Sequence, residues 1–285
     1  MTTLNQDIKN KLSRLHVLEK IILINTLIFI LDAILGGLNA NQYSFLLPWF
    51  SLSNDIWQVV LNPWTVISYG FLHYNFGHLF FNMLVLYVLA QTFSNLFRPR
   101  FSLKLYLLGI CFGALAFVLA TLLIPSILNI NGPLVGASAG VRACILFLCF
   151  YMPNKRVGLF TFRFKLKYLG IAMVALDLPG LFSINSGGTI AHIGGYILGY
   201  GYAKQIQRGV EPAQFLDAIL NYFKMKSPLK TVYKKKTKSF AGQSKQDFDS
   251  YTHQKQIDLI LDKISKSGYE SLTQEEKDFL FRAGK

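Results

Sequence analysis

Ser138, His192, His78 and Asn82 are the side chains of this chain whose types and spacing could carry out chemistry. Ser138 stands in Gly136-Ala137-Ser138-Ala139-Gly140, and a serine hydroxyl becomes a nucleophile when a neighbouring base takes its proton. His192 offers such a base, in Ala-His-Ile-Gly-Gly, with Gly195 and Gly199 following it four residues apart. His78 and Asn82 are also four apart, so on a helix they share a face. His73 precedes them in the same stretch, His-Tyr-Asn-Phe-Gly-His.

The Gly-x-Ser-x-Gly pattern also marks the nucleophile elbow of soluble α/β-hydrolases, which needs a buried strand before the serine and alternating strand-helix units around it. The surroundings here are of another kind. The chain has 285 residues, 52% hydrophobic and only 15% charged, too apolar for an ordinary soluble domain. Cys111, Cys144 and Cys149 are an odd number in apolar stretches, which reads as core packing and predicts no disulfide, metal or cofactor chemistry.

Apolar stretches at about 18–37, 75–96, 103–125, 137–153, 166–184 and 188–205 approach the roughly 20 residues that a membrane span requires. The basic residues before 21–35 imitate a secretory signal, but with further spans behind it and no small-residue cleavage site it reads as an uncleaved first span. Lys and Arg gather before the first span, between the second and third, between the fourth and fifth, and after the sixth; the other connections hold none. The bias predicts cytoplasmic termini. Ser138 and His192 then lie a short way below the outer face, on helices that both run inward. The small residues Ala137, Ala139, Gly140, Gly195 and Gly199 would let these helices approach closely.

Trp49, Trp57 and Trp64 in the first outer connection suit an element lying sideways in the outer leaflet. The domain expectation is a cytoplasmic N-terminus at 1–17, a six-span domain at 18–205, an amphipathic helix and basic linker at 206–250, and a small helical module at 251–285. In the linker, Glu211-Pro212 can open a helix with Phe215, Leu216, Ile219, Leu220 and Phe223 at helical spacing. The lysine-rich segment 224–245, from Lys224 to Lys245, then either attracts anionic lipid or serves as a solvated linker that enforces orientation. In the module, 256–264 and 275–281 read as two short helices, with Thr273 and Glu276 spaced as a capping box. Its partner is unknown, and no nucleic-acid partner is expected.

Together these residues resemble the rhomboid family of intramembrane serine proteases. The likeness rests on His-x-x-x-Asn in span two (His78, Asn82), Gly-x-Ser opening span four (Gly136, Ser138), and Ala-His-x-x-Gly-x-x-x-Gly in span six (Ala191, His192, Gly195, Gly199), over about 18–205. It implies an all-α, six-transmembrane-helix bundle of a multi-pass protein, in a bacterial inner (cytoplasmic) membrane. It further implies that Ser138 is the nucleophile and His192 the base, and that His78, Asn82 and the Ser138 N–H form the oxyanion hole. Substrates would be single-span membrane proteins cut near the outer leaflet. A silent rhomboid-like binder or chaperone of membrane helices is the alternative, and a transporter ranks last because no internal repeat is found.

The pattern departs from the family at three points. Ala139 stands where glycine usually follows the serine. Thr65 follows Trp64 where many relatives carry arginine. Arg142 sits one turn after Ser138 where an aromatic ring often stacks on the histidine, and a cation there opposes an imidazolium unless it pairs with an acid. Asp177 invites a Ser-His-Asp triad, but the resembling family works without an acid, so Asp177 stays outside the expected site. His73 is expected to hold the first loop or water.

Overall fold

The computed structural model of the protein describes residues 4–37, 44–124, 130, 132–159, 162–183, 185–222 and 245–283. The chain divides into two compact units, Met1–Lys224 and Met225–Lys285, so the division falls inside the stretch expected as linker.

The first unit is mostly helical: α1 (Leu4–Arg14), α2 (Val17–Gly37), α3 (Leu47–Phe50), α4 (Ile56–Leu61), α5 (Thr65–Ser68), α6 (Phe76–Leu96), α7 (Pro99–Leu123), α8 (Ser138–Tyr151), α9 (Leu166–Asp177), α10 (Ser186–Gln207) and α11 (Phe215–Tyr222). By length and composition, α6 and α7 are long and apolar enough to cross a membrane. Local signals explain several of the boundaries. The Asn75 carboxamide oxygen accepts the His78 N–H at 2.9 Å and caps α6. Pro99 at the first position starts α7 a turn earlier than the apolar run. Pro179 lies in the 3-10 turn Leu178–Phe182, which takes over where α9 stops.

One element departs from the all-helical expectation. The basic connection between α8 and α9 folds into an antiparallel hairpin, β1 (Arg156–Leu159) with β2 (Phe162–Lys165), pairing Arg156 with Lys165 and Val157 with Phe164. Its residues alternate between apolar and polar at period two, a strand pattern that the abundance of charge obscures.

Helices α7, α8 and α10 pack closely because glycine faces backbone at their crossings. A Cβ on Gly195 would overlap the Ala139 carbonyl oxygen, and one on Gly199 would overlap that of Ala143. The methyl of Ala139, where the family has glycine, is accommodated opposite Gly113. Near the other end of α8, Phe97, Phe101, Phe147, Tyr151 and Tyr202 form an aromatic cluster, with the Phe97 and Phe101 rings stacked at 4.6 Å.

Glu211 departs from its expected role as a helix opener, because α11 begins at Phe215 instead. Its carboxylate lies 2.9 Å from the buried Lys104 ammonium and accepts from the Tyr202 hydroxyl at 2.8 Å. Asp217 completes the site at 3.1 Å. A buried lysine requires this compensation, and it overrides the local preference of Glu-Pro to start a helix. Phe223 and the lysine-rich segment up to residue 244 lie outside the described residues.

The second unit contains α12 (Lys245–Ser267), a 3-10 turn at Tyr269–Ser271, and α13 (Gln274–Ala283). Helix α12 runs longer than the expected 256–264. Gly268, at φ +77°, ends it. Thr273 and Glu276 cap α13 reciprocally: the Thr273 N–H donates to the carboxylate at 2.8 Å, and the Glu276 N–H donates to the threonine oxygen at 3.3 Å.

Candidate active site

Ser138 is the first residue of α8, and the turn before it requires glycine: Gly136 has φ +123°, and a Cβ there would lie 2.7 Å from the His78 ring. The Gly136 N–H donates to the Tyr69 carbonyl at 2.9 Å, and the Tyr74 hydroxyl to that of Pro133 at 2.6 Å. Leu52 in the long first connection exchanges backbone bonds with Leu134. The loop entering α8 is thereby pinned from one side, while α10 presses on α8 from the other.

These constraints bring Ser138 Oγ to 2.8 Å from His192 Nε2. That is hydrogen-bond distance between a hydroxyl and an imidazole from separate helices. Both line a cavity of about 810 Å³, together with His78, Asn82, Tyr74 and Arg142. Asn82 donates one amide N–H to the His78 carbonyl at 2.9 Å, which leaves its second N–H for another acceptor. His73 is buried with its ring edge on His78, centroids 4.9 Å apart, and among the described residues neither ring nitrogen has a hydrogen-bond partner. Thr65, in place of the family's arginine, bonds locally to the Asn62 carbonyl at 2.7 Å.

The structure brings Arg142 to an acid. Its guanidinium grips Asp177 with two nitrogens, Nε to Oδ2 at 3.0 Å and Nη2 to Oδ1 at 3.2 Å. The Tyr196 hydroxyl donates to Oδ2 at 2.6 Å. Oδ2 also lies 3.0 Å from His192 Nδ1, although the approach is bent and lacks the geometry of a full hydrogen bond. Asp177 and Tyr196 are thus the residues that sequence reasoning left outside the site. A signal for them existed in charge balance. Asp177 is the sole acid between Asp55 and Glu211, so an arginine in this apolar region had one local countercharge. Tyr196 follows His192 by four residues, as Arg142 follows Ser138, so each helix offers two side chains to the same spot.

A helical fold with a serine opening one helix and facing a histidine on another fits the resemblance to the rhomboids, and comparison with known proteins shows the family. The Rhomboid domain model matches residues 61–208, and the chain belongs to the rhomboid family, whose members are embedded in membranes. RHOMBOID-like protein 12, mitochondrial, from Arabidopsis thaliana is 30% identical over 147 residues, covering 46% of this chain and 43% of that protein. The chain therefore matches less than half the length of this relative. Residues 247–283 match a second model, a family of unknown function (DUF6576).

Proposed function

We propose that the protein is an intramembrane serine endopeptidase that cleaves single-span membrane proteins near the outer leaflet. The observation that carries this reading is the 2.8 Å contact between Ser138 Oγ and His192 Nε2 at a cavity. His192 takes the hydroxyl proton as Oγ attacks a peptide carbonyl, then returns it to the leaving amine. The His78 ring, the second Asn82 amide hydrogen and the Ser138 N–H steady the oxyanion, each donor lowering the barrier by about 3 kcal/mol. The positive end of α8 adds to them. Water then hydrolyses the acyl-enzyme.

The depth of the site follows from the length of α8. Its 14 residues span about 21 Å, short of the roughly 30 Å hydrocarbon layer. With the aromatic cluster near the cytoplasmic side, Ser138 lies inside the layer, and the cavity supplies its water. In this reading α2, α6, α7, α8, α9 and α10 are the six spans of a bundle in a bacterial inner membrane, with both termini cytoplasmic. The lysine-rich segment 224–245 meets anionic lipid, and the C-terminal module serves a partner yet to be identified. A substrate helix must unwind locally, because its carbonyls are otherwise bonded within the helix and shielded from attack.

A fluorophosphonate probe applied to the full chain tests the assignment. Covalent labelling at Ser138, abolished in Ser138→Ala and His192→Ala, is the expected result. Absence of labelling, together with no substrate fragments on co-expression, would leave a silent helix-binding protein.

A further inference from the structure

The Asp177 carboxylate collects four approaches from two helices: two from Arg142 on α8, one from the Tyr196 hydroxyl on α10, and one from His192 Nδ1 on α10. A plain ion pair needs only the first two. The other two fall on Oδ2, the oxygen nearer the imidazole, and they tie both ends of one turn of α10 to a single atom. Asp177 is also the last residue of α9, where the helix dipole disfavours a carboxylate. Its place is set by its partners and not by its own helix.

We infer that Asp177 is a positioning residue for His192, completing a Ser138–His192–Asp177 line, with Arg142 and Tyr196 holding the carboxylate in place. This inference rests on the serine-protease reading above. Its physical content is a choice of tautomer. An imidazole carries one proton when neutral, and whichever nitrogen holds it cannot accept another. Asp177 beside Nδ1 draws the proton there and leaves the Nε2 lone pair facing the Ser138 hydroxyl. When Nε2 takes the hydroxyl proton, Nδ1 keeps its own, and Asp177 remains a carboxylate throughout. The bent approach tightens as the ring turns toward an acylating serine.

Arg142 explains why the acid does this by orientation more than by charge. Its cation offsets the carboxylate, so the pair is neutral before the reaction, and the net electrostatic assistance to an imidazolium is reduced. Among the described residues, His78 on α6 and Tyr74 are further titratable groups lining the same cavity as His192. The competing role for Asp177 is that of a mere countercharge to Arg142, and the two roles separate by substitution. Removing the acid alone disturbs both. Removing the Asp177 and Arg142 charges together restores charge balance but not the tautomer.

The experiment uses the full chain in lipid vesicles with a fluorophosphonate probe, resolving the maximal acylation rate from the probe's half-saturation. Asp177→Asn, which is isosteric, is expected to lower the maximal rate by about 100-fold or more and to leave half-saturation within about twofold. The double variant Asp177→Asn/Arg142→Met stays as slow, and Arg142→Met alone loses at least tenfold less than Asp177→Asn. Recovery of the double variant to near the wild-type rate, or equal losses in the two single variants, overturns the inference. Melting temperatures are measured alongside; where the double variant loses its transition, the ordering of the single variants decides. Labelling of wild type but not Ser138→Ala is the control: its failure sinks the protease reading, whereas a fast double variant sinks only the role of Asp177.

Discussion

Gly195 faces the carbonyl oxygen of Ala139 so closely that a single methyl would overlap it. This crossing involves the residue after Ser138 and the residue three after His192, so it sets the separation of α8 and α10 where the two side chains meet. Gly195→Val is expected to push the helices apart and cost about 1–3 kcal/mol, with acylation at Ser138 falling more steeply than stability. Thermal unfolding in detergent beside probe labelling checks it; wild-type labelling in a folded Gly195→Val would show that the close approach is dispensable.

Gly136 carries a second constraint on the same site. At φ +123° an alanine is strained whatever the space, and its methyl would meet the His78 ring at 2.7 Å. Gly136→Ala is expected to displace the His78 ring, the proposed oxyanion donor, and slow acylation by about 10²-fold, with the probe's half-saturation little changed. A normal maximal rate would remove His78 from the oxyanion side.

How far these relationships were legible in the sequence follows from what each depends on. Ser138, His192, His78 and Asn82 stood out because polar side chains in apolar helices are expensive and their spacing fixed their faces. Asp177 and Arg142 were visible as charges, but nothing in their separation of 35 residues told whether they met each other or water. That depended on how α9 crosses α8, a packing outcome. The hairpin between α8 and α9 was hidden by its own lysines and arginines, which read as a topology signal before they read as a strand. Glu211 was misjudged because a local helix-start pattern lost to a buried lysine lying far away in sequence.

Lys104 gives the corresponding test on the opposite side of the fold. Its side chain is 3% exposed and bonded to Glu211 and Asp217, which are 29% and 38% exposed. Because the acids are partly solvated, losing one is milder than breaking a fully buried pair. Glu211→Gln is expected to cost about 1–2 kcal/mol and Lys104→Met less than the double removal of both acids, which strands the buried cation. Equilibrium unfolding of the single and double variants gives the coupling; additive effects would show that the three charges act independently.

The second unit supplies a pH dependence with a definite sign. Hydrogen bonding from Lys263, then from the Thr273 N–H, lowers the Glu276 carboxyl below its ordinary value of 4.5. A carboxyl depressed on folding adds stability that is present in full above the ordinary value and fades as pH falls through the lower, folded one. The turn between α12 and α13 should therefore loosen below about pH 4.5, while Glu276→Gln removes that dependence and weakens the turn at neutral pH. Amide exchange of α13, corrected for the intrinsic effect of pH on exchange, reports it directly. Protection that falls equally in wild type and Glu276→Gln would assign the acid sensitivity to other groups.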